Sequence, residues 1–453
     1  MNQWFYQFSW TLVICTMIIM TGLISSVPLS AQDELSHYLQ QDDGVYQWEV
    51  KSSKAVNGGT VYDLLLTSQK WQEIIWQHQL RIAIPAQFRD THHALIFITG
   101  GSNNNSAPNW KSLEEDDELK AIGSIAFQSG SPVAVLRQVP NQPLYGERNE
   151  DDLISYTFVQ YLETKDKTWP LLFPMVKSAV RAMDAIQEFV QQEFEQRVDK
   201  FVVSGASKRG WTTWLTGASE PRVAAIAPMV IDVLNMDVQM DYQLKVWGRY
   251  SEEIRDYQET NILALMEEDK GGDLLKMVDP YEYREKITMP KMIFIGTNDA
   301  YWPVDAIKHY LDDLKGETYI HYVPNAGHNL GDGKQAVNTL GAFFATVAFG
   351  NQHPALEWEF KQNGNGISLQ FSSDTEMQKG SIWYATSTDR DFRNEQFKNI
   401  SFDYSSKCYV KEENLPDDGY IAFYAEGFFP NPIGETYSKC TRMYVVDRNG
   451  LVD

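Results

Sequence analysis

Cysteine is scarce in this chain of 453 residues, which has three: Cys15, Cys408 and Cys440. Cys15 lies inside an apolar N-terminal stretch, so an exported chain that had lost this stretch would keep two. An even number of cysteines in an exported protein favours a disulfide. We therefore expect a bridge between Cys408 and Cys440, and two separate buried thiols are the alternative.

Basic residues are also few, because 39 Lys and Arg face 61 Asp and Glu, for a net charge of −22. Phosphate backbones and anionic membrane surfaces bind basic surfaces, so this balance argues against both as partners. Apolar residues make up 43% and aromatic residues 13% of the chain. That content supports a large core and argues against general disorder.

The first 31 residues contain no charged side chain. Positions 11–23, TLVICTMIIMTGL, are mostly apolar, and small residues follow up to Ala31. This pattern predicts a signal peptide over 1–31 and export to the periplasm or the medium. An uncleaved N-terminal anchor is the alternative, although the apolar core is short for a membrane-spanning helix.

Several motifs for metal and nucleotide chemistry are missing from the sequence. It contains no His-Glu-x-x-His, no closely paired cysteines and no Walker loop. We therefore expect chemistry that uses no metal and no cofactor.

Apolar runs that alternate with helical patterns occupy most of the chain. HALIFITGG (93–101), FVVSG (201–205), PKMIFIGTND (290–299) and ETYIHYV (317–323) have the character of buried strands. This alternation predicts a mostly parallel sheet with helices on both faces over residues 32–351. Insertions near 141–169 and 235–286 are candidate lids. From 352 to 453, short strand-like pieces predict an all-β, sandwich-like module.

Three residues that follow separate predicted strands supply the parts of a catalytic triad. Ser207 follows a strand in FVVSGASKRG, Asp299 ends PKMIFIGTND, and His328 lies in PNAGHNLG. Acyl transfer needs a nucleophile, a base and an acid that orients the base, and the order Ser, Asp, His is that of α/β-hydrolases. Asp232, which follows another predicted strand, is an alternative acid.

The residues after Ser207 and those after the strand that begins at His93 are candidates for stabilising the oxyanion and binding substrate. Backbone N–H groups of Lys208, Gly101 and Ser102 are the expected oxyanion donors. Arg209 occupies the usual place of a second glycine, which arrives at Gly210 instead. Lys208 and Arg209 have two interpretations, binding of an anionic substrate group or pairing with acidic residues of this chain.

The stretch VSGASKRGWTTWLTGASEPRVAAIAPMVIDVLNM (203–236) resembles the PhoPQ-activated pathogenicity-related protein family. GTNDAYWPVDA, VPNAGHNL and GGSNNN extend the resemblance. The resemblance implies export and an α/β-hydrolase-like fold. GASKRG is also similar to the Gly-x-Ser-x-x-Gly turn of glucuronoyl esterases, which implies an ester near a carboxylate.

The sequence predicts an exported serine hydrolase that cleaves an ester or amide in a small-molecule, peptide or carbohydrate substrate. A serine peptidase is an alternative within the same chemistry. A secreted binding or signalling protein on a hydrolase scaffold is the alternative from another class. Nucleic acid is not an expected partner.

Overall fold

The computed structural model describes residues 31–89, 91–104, 106–267, 272–364, 366–403 and 408–452. The predicted signal peptide lies outside these ranges except for Ala31, the first residue of the first helix. Within these ranges, no helix is long and apolar enough to cross a membrane.

The described ranges contain ten α-helices and twenty strands. The helices are α1 (Ala31–Gln40), α2 (Asp117–Ser129), α3 (Glu150–Thr164), α4 (Leu172–Phe194), α5 (Lys208–Ser219), α6 (Met236–Trp247), α7 (Arg255–Glu259), α8 (Ile262–Glu267), α9 (Gly272–Val278) and α10 (Lys334–Ala348). The strands up to the last long helix are β1 (Gln47–Val56), β2 (Gly59–Trp71), β3 (Ile74–Pro85), β4 (His93–Ile98), β5 (Asn103–Asn104), β6 (Ala107–Pro108), β7 (Val133–Leu136), β8 (Lys200–Ala206), β9 (Val223–Met229), β10 (Lys291–Gly296) and β11 (Thr318–Val323). The later strands are β12 (Leu356–Asn363), β13 (Gly366–Ser373), β14 (Lys379–Ser387), β15 (Lys398–Asp403), β16 (Cys408–Asn414), β17 (Tyr420–Pro430), β18 (Thr436–Cys440), β19 (Tyr444–Asp447) and β20 (Gly450–Leu451).

One large mixed sheet organises the chain. Its first part has the order β1-β2-β3-β7-β4-β8-β9-β10-β11. The strands from β7 to β11 in this order run parallel, whereas β1, β2 and β3 are antiparallel neighbours at one side. The carboxyl ends of the parallel strands therefore meet at one edge, where ligands bind in sheets of this kind.

Two hydrophobic cores cover the two faces of this sheet. Side chains alternate along β4, so that Ala94, Ile96 and Ile98 join the core beneath α4 and α5, while Leu95 joins the core beneath α2 and α10. Asp116 caps the N-terminus of α2, where its carboxylate accepts a hydrogen bond from the backbone N–H of Leu119 (2.9 Å). The predicted α/β-hydrolase-like fold, with helices on both faces, is confirmed.

The C-terminal strands form two sheets, one of which continues the central sheet. β18 pairs with β11 in antiparallel register, with Cys440 opposite Ile320, and the order runs on through β17, β14 and β15. β12, β13 and β16 form a separate three-stranded sheet. Buried side chains such as Phe371 and Ala425 form a core that draws on both sheets. The predicted all-β region is thus present, and it shares a sheet with the preceding part of the chain.

The predicted disulfide is absent from the structure, because Cys440 is a free, buried thiol. Its Sγ accepts a hydrogen bond from the backbone N–H of Tyr322 (3.5 Å) on β11. Cys408 begins β16, where it pairs with Ser372 in the other sheet. The two cysteines therefore belong to strands of different sheets. Burial and the nearby charge of Glu426 raise the pKa of the Cys440 thiol well above its ordinary value.

Truncation of the chain after residue 351 tests how far the two parts depend on each other. Removing β18 would leave β11 as an unpaired edge and expose the buried Ile320 and Tyr322 to water. We expect the fragment 32–351 to be recovered mainly as aggregate, whereas the chain 32–453 stays in solution and melts cooperatively. A soluble, cooperatively melting 32–351 fragment would show that the C-terminal region is an independent module.

Candidate active site

Ser207 forms the sharp turn between β8 and α5. Its backbone has φ 58° and ψ −128°, a conformation that residues other than glycine rarely adopt and that costs about 1–3 kcal/mol. Two hydrogen bonds stabilise the turn: the Ser207 N–H donates to the carbonyl of Met229 (2.9 Å), and the Ser207 carbonyl accepts from Trp211 N–H (3.0 Å). This strained strand–turn–helix corner is typical of a nucleophilic serine.

The position of the second glycine follows from how α5 packs on the sheet. A Cβ on Gly210 would lie 2.6 Å from Cγ2 of Ile231 and 2.9 Å from the carbonyl oxygen of Met229. A Cβ on Gly205 would lie 2.8 Å from the carbonyl oxygen of Arg209. Close packing against the end of β9 therefore requires glycine at position 210. Position 209 can carry a large side chain.

Asp299 and His328 form a hydrogen-bonded pair beyond the ends of β10 and β11. His328 Nδ1 lies 2.9 Å from Oδ2 and 3.1 Å from Oδ1 of Asp299. An ionised carboxylate only accepts hydrogen bonds, so Nδ1 carries the proton and donates it to Asp299. The backbone N–H of Tyr301 donates to Oδ1 (2.9 Å) and holds the carboxylate in place. The side chain of Asp299 is 5% exposed, so the carboxylate is largely protected from water.

The other imidazole nitrogen of His328 is available for chemistry. Nε2 is buried and has no hydrogen-bond partner among the described residues. With the proton on Nδ1, the lone pair of Nε2 can accept a proton. The ring stacks on Tyr301, with centroids 4.2 Å apart and planes at 29°. The plane of the base is thus set by a hydrogen bond on one nitrogen and by an aromatic neighbour.

Ser207 and His328 line the same cavity, which is partly open to solvent. Asp151 and Lys208 are its charged lining residues. The remaining lining residues are apolar or aromatic: Trp211, Ile231, Val233, Met236, Met240, Ile254, Tyr257, Leu263, Tyr301 and Trp302. Both predicted lid segments contribute, since Asp151 belongs to 141–169 and Tyr257 to 235–286. The Tyr257 hydroxyl donates to Asp151 Oδ1 (2.9 Å), which joins the two segments over the cavity.

Asp232, the alternative acid, has a different partner. It accepts a hydrogen bond from the Tyr310 hydroxyl and is 4% exposed. Burial and the charge of Asp299, opposed by the Tyr310 hydrogen bond, raise the pKa of Asp232 to about 7. The structure therefore brings Asp299, and not Asp232, to the imidazole of His328.

Lys208 and Arg209 are both paired with acidic residues of α3. Lys208 Nζ lies 3.0 Å from Glu150 Oε2 and 3.1 Å from Asp151 Oδ2. Arg209 binds both carboxylate oxygens of Glu150 (2.7 Å each) and donates from Nε to the carbonyl of Val139 (2.6 Å). Burial would raise the pKa of Glu150, but the two cations and a hydrogen bond lower it to about 2. Of the two interpretations of these cations, the structure shows the pairing with acidic residues.

Of the predicted oxyanion donors Lys208, Gly101 and Ser102, Lys208 alone is among the described residues that line the cavity. The backbone of Lys208 begins α5, where the first N–H groups have no partner within the helix, and Lys208 lines the cavity with Ser207. Gly101 and Ser102 are not among the described residues that line it. The Gly101 carbonyl accepts from Gln142 Nε2 (3.1 Å). Their loop reaches the turn through Gly100, where a Cβ would lie 2.6 Å from Nη2 of Arg209.

The C-terminal region supports the loops that carry Asp299 and His328. Asn298, next to Asp299, donates from Nδ2 to the carbonyls of Phe392 (3.0 Å) and Glu395 (2.8 Å). Asn325, three residues before His328, donates to the carbonyl of Phe397 (2.9 Å) and accepts from its N–H (2.7 Å). These contacts join segments more than 70 residues apart in the chain.

Sequence reasoning missed Glu150, Asp151 and Tyr257 as parts of this site. An acidic run at 150–152 opens α3, and this run was the available signal. Its role depends on which basic residues face it in space. Within the described residues, no group of three or more His, Cys, Asp or Glu side chains is arranged to hold a metal ion.

The sequence matches the PhoPQ-activated pathogenicity-related protein family over residues 35–393. The chain belongs to that family. This member is similar to the autocrine proliferation repressor protein A of Dictyostelium discoideum, with 30% identity over 459 residues that cover 93% of this chain and 91% of that protein.

Solved structures similar to this family member include two esterases. One is acetyl xylan esterase 1 from Thermoanaerobacterium sp. JW/SL YS485, with 18% identity, a TM-score of 0.47, and coverage of 70% of this chain and 93% of that chain. Another is a glucuronoyl esterase from Solibacter usitatus, with 12% identity, a TM-score of 0.41, and coverage of 70% and 92%. Because both TM-scores are below 0.5, the fold assignment rests on the strand order and the two cores described above.

Replacing each candidate acid by Asn separates their roles. We expect Asp299→Asn to lower the Ser207-dependent turnover of an activated ester by about 10³–10⁴-fold, because the His328 tautomer would no longer be fixed. Asp232→Asn keeps a partner for Tyr310 and should lower kcat less than tenfold. The measurement is kcat for a 4-nitrophenyl ester, with melting curves to confirm folding. A larger loss for Asp232→Asn would assign the acid to that residue instead.

Two helical glycines provide a matched test of the packing of α5. Gly210→Ala should destabilise the protein by about 1–3 kcal/mol, because the new methyl group would overlap Ile231 and Met229. In Gly123→Ala of α2, the new methyl group would only make ordinary contact with Leu119 Cγ, 3.5 Å away, and should stabilise the protein by about 0.4–1 kcal/mol. Thermal melting compares the two variants. Equal melting temperatures would show that position 210 tolerates a side chain.

Proposed function

We propose that this chain is an exported serine hydrolase that cleaves an ester or amide bond through Ser207, His328 and Asp299. One observation carries the proposal: the imidazole bound to Asp299 presents an unpartnered, buried Nε2 in the cavity that Ser207 also lines. Support for export comes from the uncharged, apolar N-terminal stretch.

In the proposed reaction, Ser207 Oγ attacks the substrate carbonyl carbon and passes its proton to His328 Nε2. The carbonyl π electrons move to oxygen, and the backbone N–H of Lys208 donates a hydrogen bond to that oxyanion. Asp299 stabilises the imidazolium through Nδ1–H. When the tetrahedral species collapses, the leaving group departs with the proton from Nε2. A water molecule then cleaves the acyl-enzyme by the same steps and restores Ser207.

This role does not require Ser207 and His328 to be hydrogen-bonded before substrate binds. The two side chains are not hydrogen-bonded in the structure, since Nε2 has no partner among the described residues. Catalytic hydrogen bonds of this kind are often long in unliganded enzymes and shorten once substrate is bound. Every proton and electron pair in these reaction steps comes from the protein, the substrate or water, so the reaction needs no cofactor.

A signalling protein without turnover is the second candidate function. The relative from Dictyostelium discoideum is named as an autocrine repressor of proliferation, which describes an effect on cells and not a reaction. A scaffold of this fold can serve such a role without chemistry. The two functions differ in whether Ser207 is activated.

A fluorophosphonate probe tests the proposal, because it phosphonylates serines that a base has activated. We expect stoichiometric labelling of Ser207 in the purified protein and none in Ser207→Ala. Removal of the base in His328→Ala should slow labelling by at least about 100-fold. The matched control is Ser219→Ala, at the far end of α5, which should label like the natural protein. Absence of labelling in well-folded protein would favour the signalling function.

A further inference from the structure

The cavity beside Ser207 also restricts the chemistry of the substrate. Resting on the proposed function, we infer that the acyl group transferred to Ser207 is neutral and apolar, and is longer than acetyl. The apolar lining of the cavity and the state of its charged groups support this inference.

The walls of the cavity are apolar on several sides. Trp211 comes from α5, Ile231 from the segment after β9, Met240 from α6 and Leu263 from α8. These side chains present hydrocarbon or ring surface next to the nucleophile. Water is poorly held by such surface, so transfer of a substrate alkyl chain from water into the cavity is favourable.

The charged groups that line the cavity, Lys208 and Asp151, and their neighbours Arg209 and Glu150 neutralise one another. Two cations, Lys208 and Arg209, face two carboxylates, Glu150 and Asp151, at distances of 2.7–3.1 Å. The second oxygen of Asp151 accepts from Tyr257. A substrate carboxylate would therefore find its cationic partners already bound, and it would lose its hydration among apolar walls. GASKRG is similar to the turn of glucuronoyl esterases, which implied a nearby carboxylate, but its two cations, Lys208 and Arg209, are already paired.

The apolar lining comes from α5, the segment after β9, α6 and α8, a wider surface than an acetyl group can contact at once. Each methylene buried against apolar walls strengthens binding about three- to fourfold. Four additional methylenes should therefore raise kcat/KM on the order of 100-fold, as long as the chain stays inside the cavity.

The test compares 4-nitrophenyl acetate, butyrate and hexanoate with 4-nitrophenyl hydrogen adipate, using the Ser207→Ala protein to subtract background hydrolysis. Hexanoate and adipate have the same six-carbon chain, and adipate ends in a carboxylate. We expect kcat/KM to rise from acetate to hexanoate on the order of 100-fold. The adipate ester should be at least tenfold poorer than hexanoate.

A pair of α6 variants tests whether the acyl chain of the substrate lies in the cavity. Met240→Trp would fill part of the space and should lower the ratio of hexanoate to acetate kcat/KM at least tenfold. Leu244→Trp, one turn further along α6 at a side chain that is 41% exposed and does not line the cavity, should leave the ratio unchanged. The ester comparison with the natural protein stands even if Met240→Trp fails to fold.

The outcomes separate this inference from the proposed function. Ser207-dependent hydrolysis with a flat chain-length series, or with adipate equal to hexanoate, would overturn the substrate class and leave the serine hydrolase intact. Hydrolysis of hexanoate that does not respond to Met240→Trp in folded protein would also overturn it. Absence of any Ser207-dependent hydrolysis, together with absence of fluorophosphonate labelling, would overturn both.

Discussion

The turn at Ser207 is the constraint on which the rest of the site depends. Its strained backbone is kept in place by hydrogen bonds to Met229 and Trp211 on either side. The close packing of Gly205 and Gly210 lets α5 begin directly above the end of β9. A relaxed turn would move both the serine and the first N–H groups of the helix. Strain of this kind persists only where the surrounding structure enforces it.

The ion pairs between α5 and α3 connect that turn to the inserted segments 141–169 and 235–286, which line part of the cavity. Glu150 binds both Lys208 and Arg209, and Asp151 links Lys208 to Tyr257 in the second inserted segment. Both inserted segments are thus connected to the two residues that follow Ser207. Because both cations are satisfied by the chain itself, the cavity presents mainly apolar surface to a substrate. Exclusion of water in such a site strengthens the remaining electrostatic interactions.

Much of this architecture could be predicted from local sequence patterns. Buried apolar runs identified the strands that carry Ser207, Asp299 and His328, and parallel strands place their carboxyl ends at one edge. Interactions between distant segments could not be predicted in this way. The pairing of β18 with β11, which buries Cys440 as a free thiol, depends on tertiary contacts. The partner of Arg209 lies 59 residues away in α3, and no local spacing indicates it.

Capture of the acyl-enzyme would show directly whether Ser207 is the nucleophile. The protein would be mixed with 4-nitrophenyl hexanoate, quenched in acid within milliseconds, digested and mapped by mass spectrometry. We expect a hexanoyl group on the peptide that contains Ser207. It should form as fast as the first equivalent of 4-nitrophenol is released. Release of 4-nitrophenol without acylation of Ser207, or with acylation of a different residue, would contradict it.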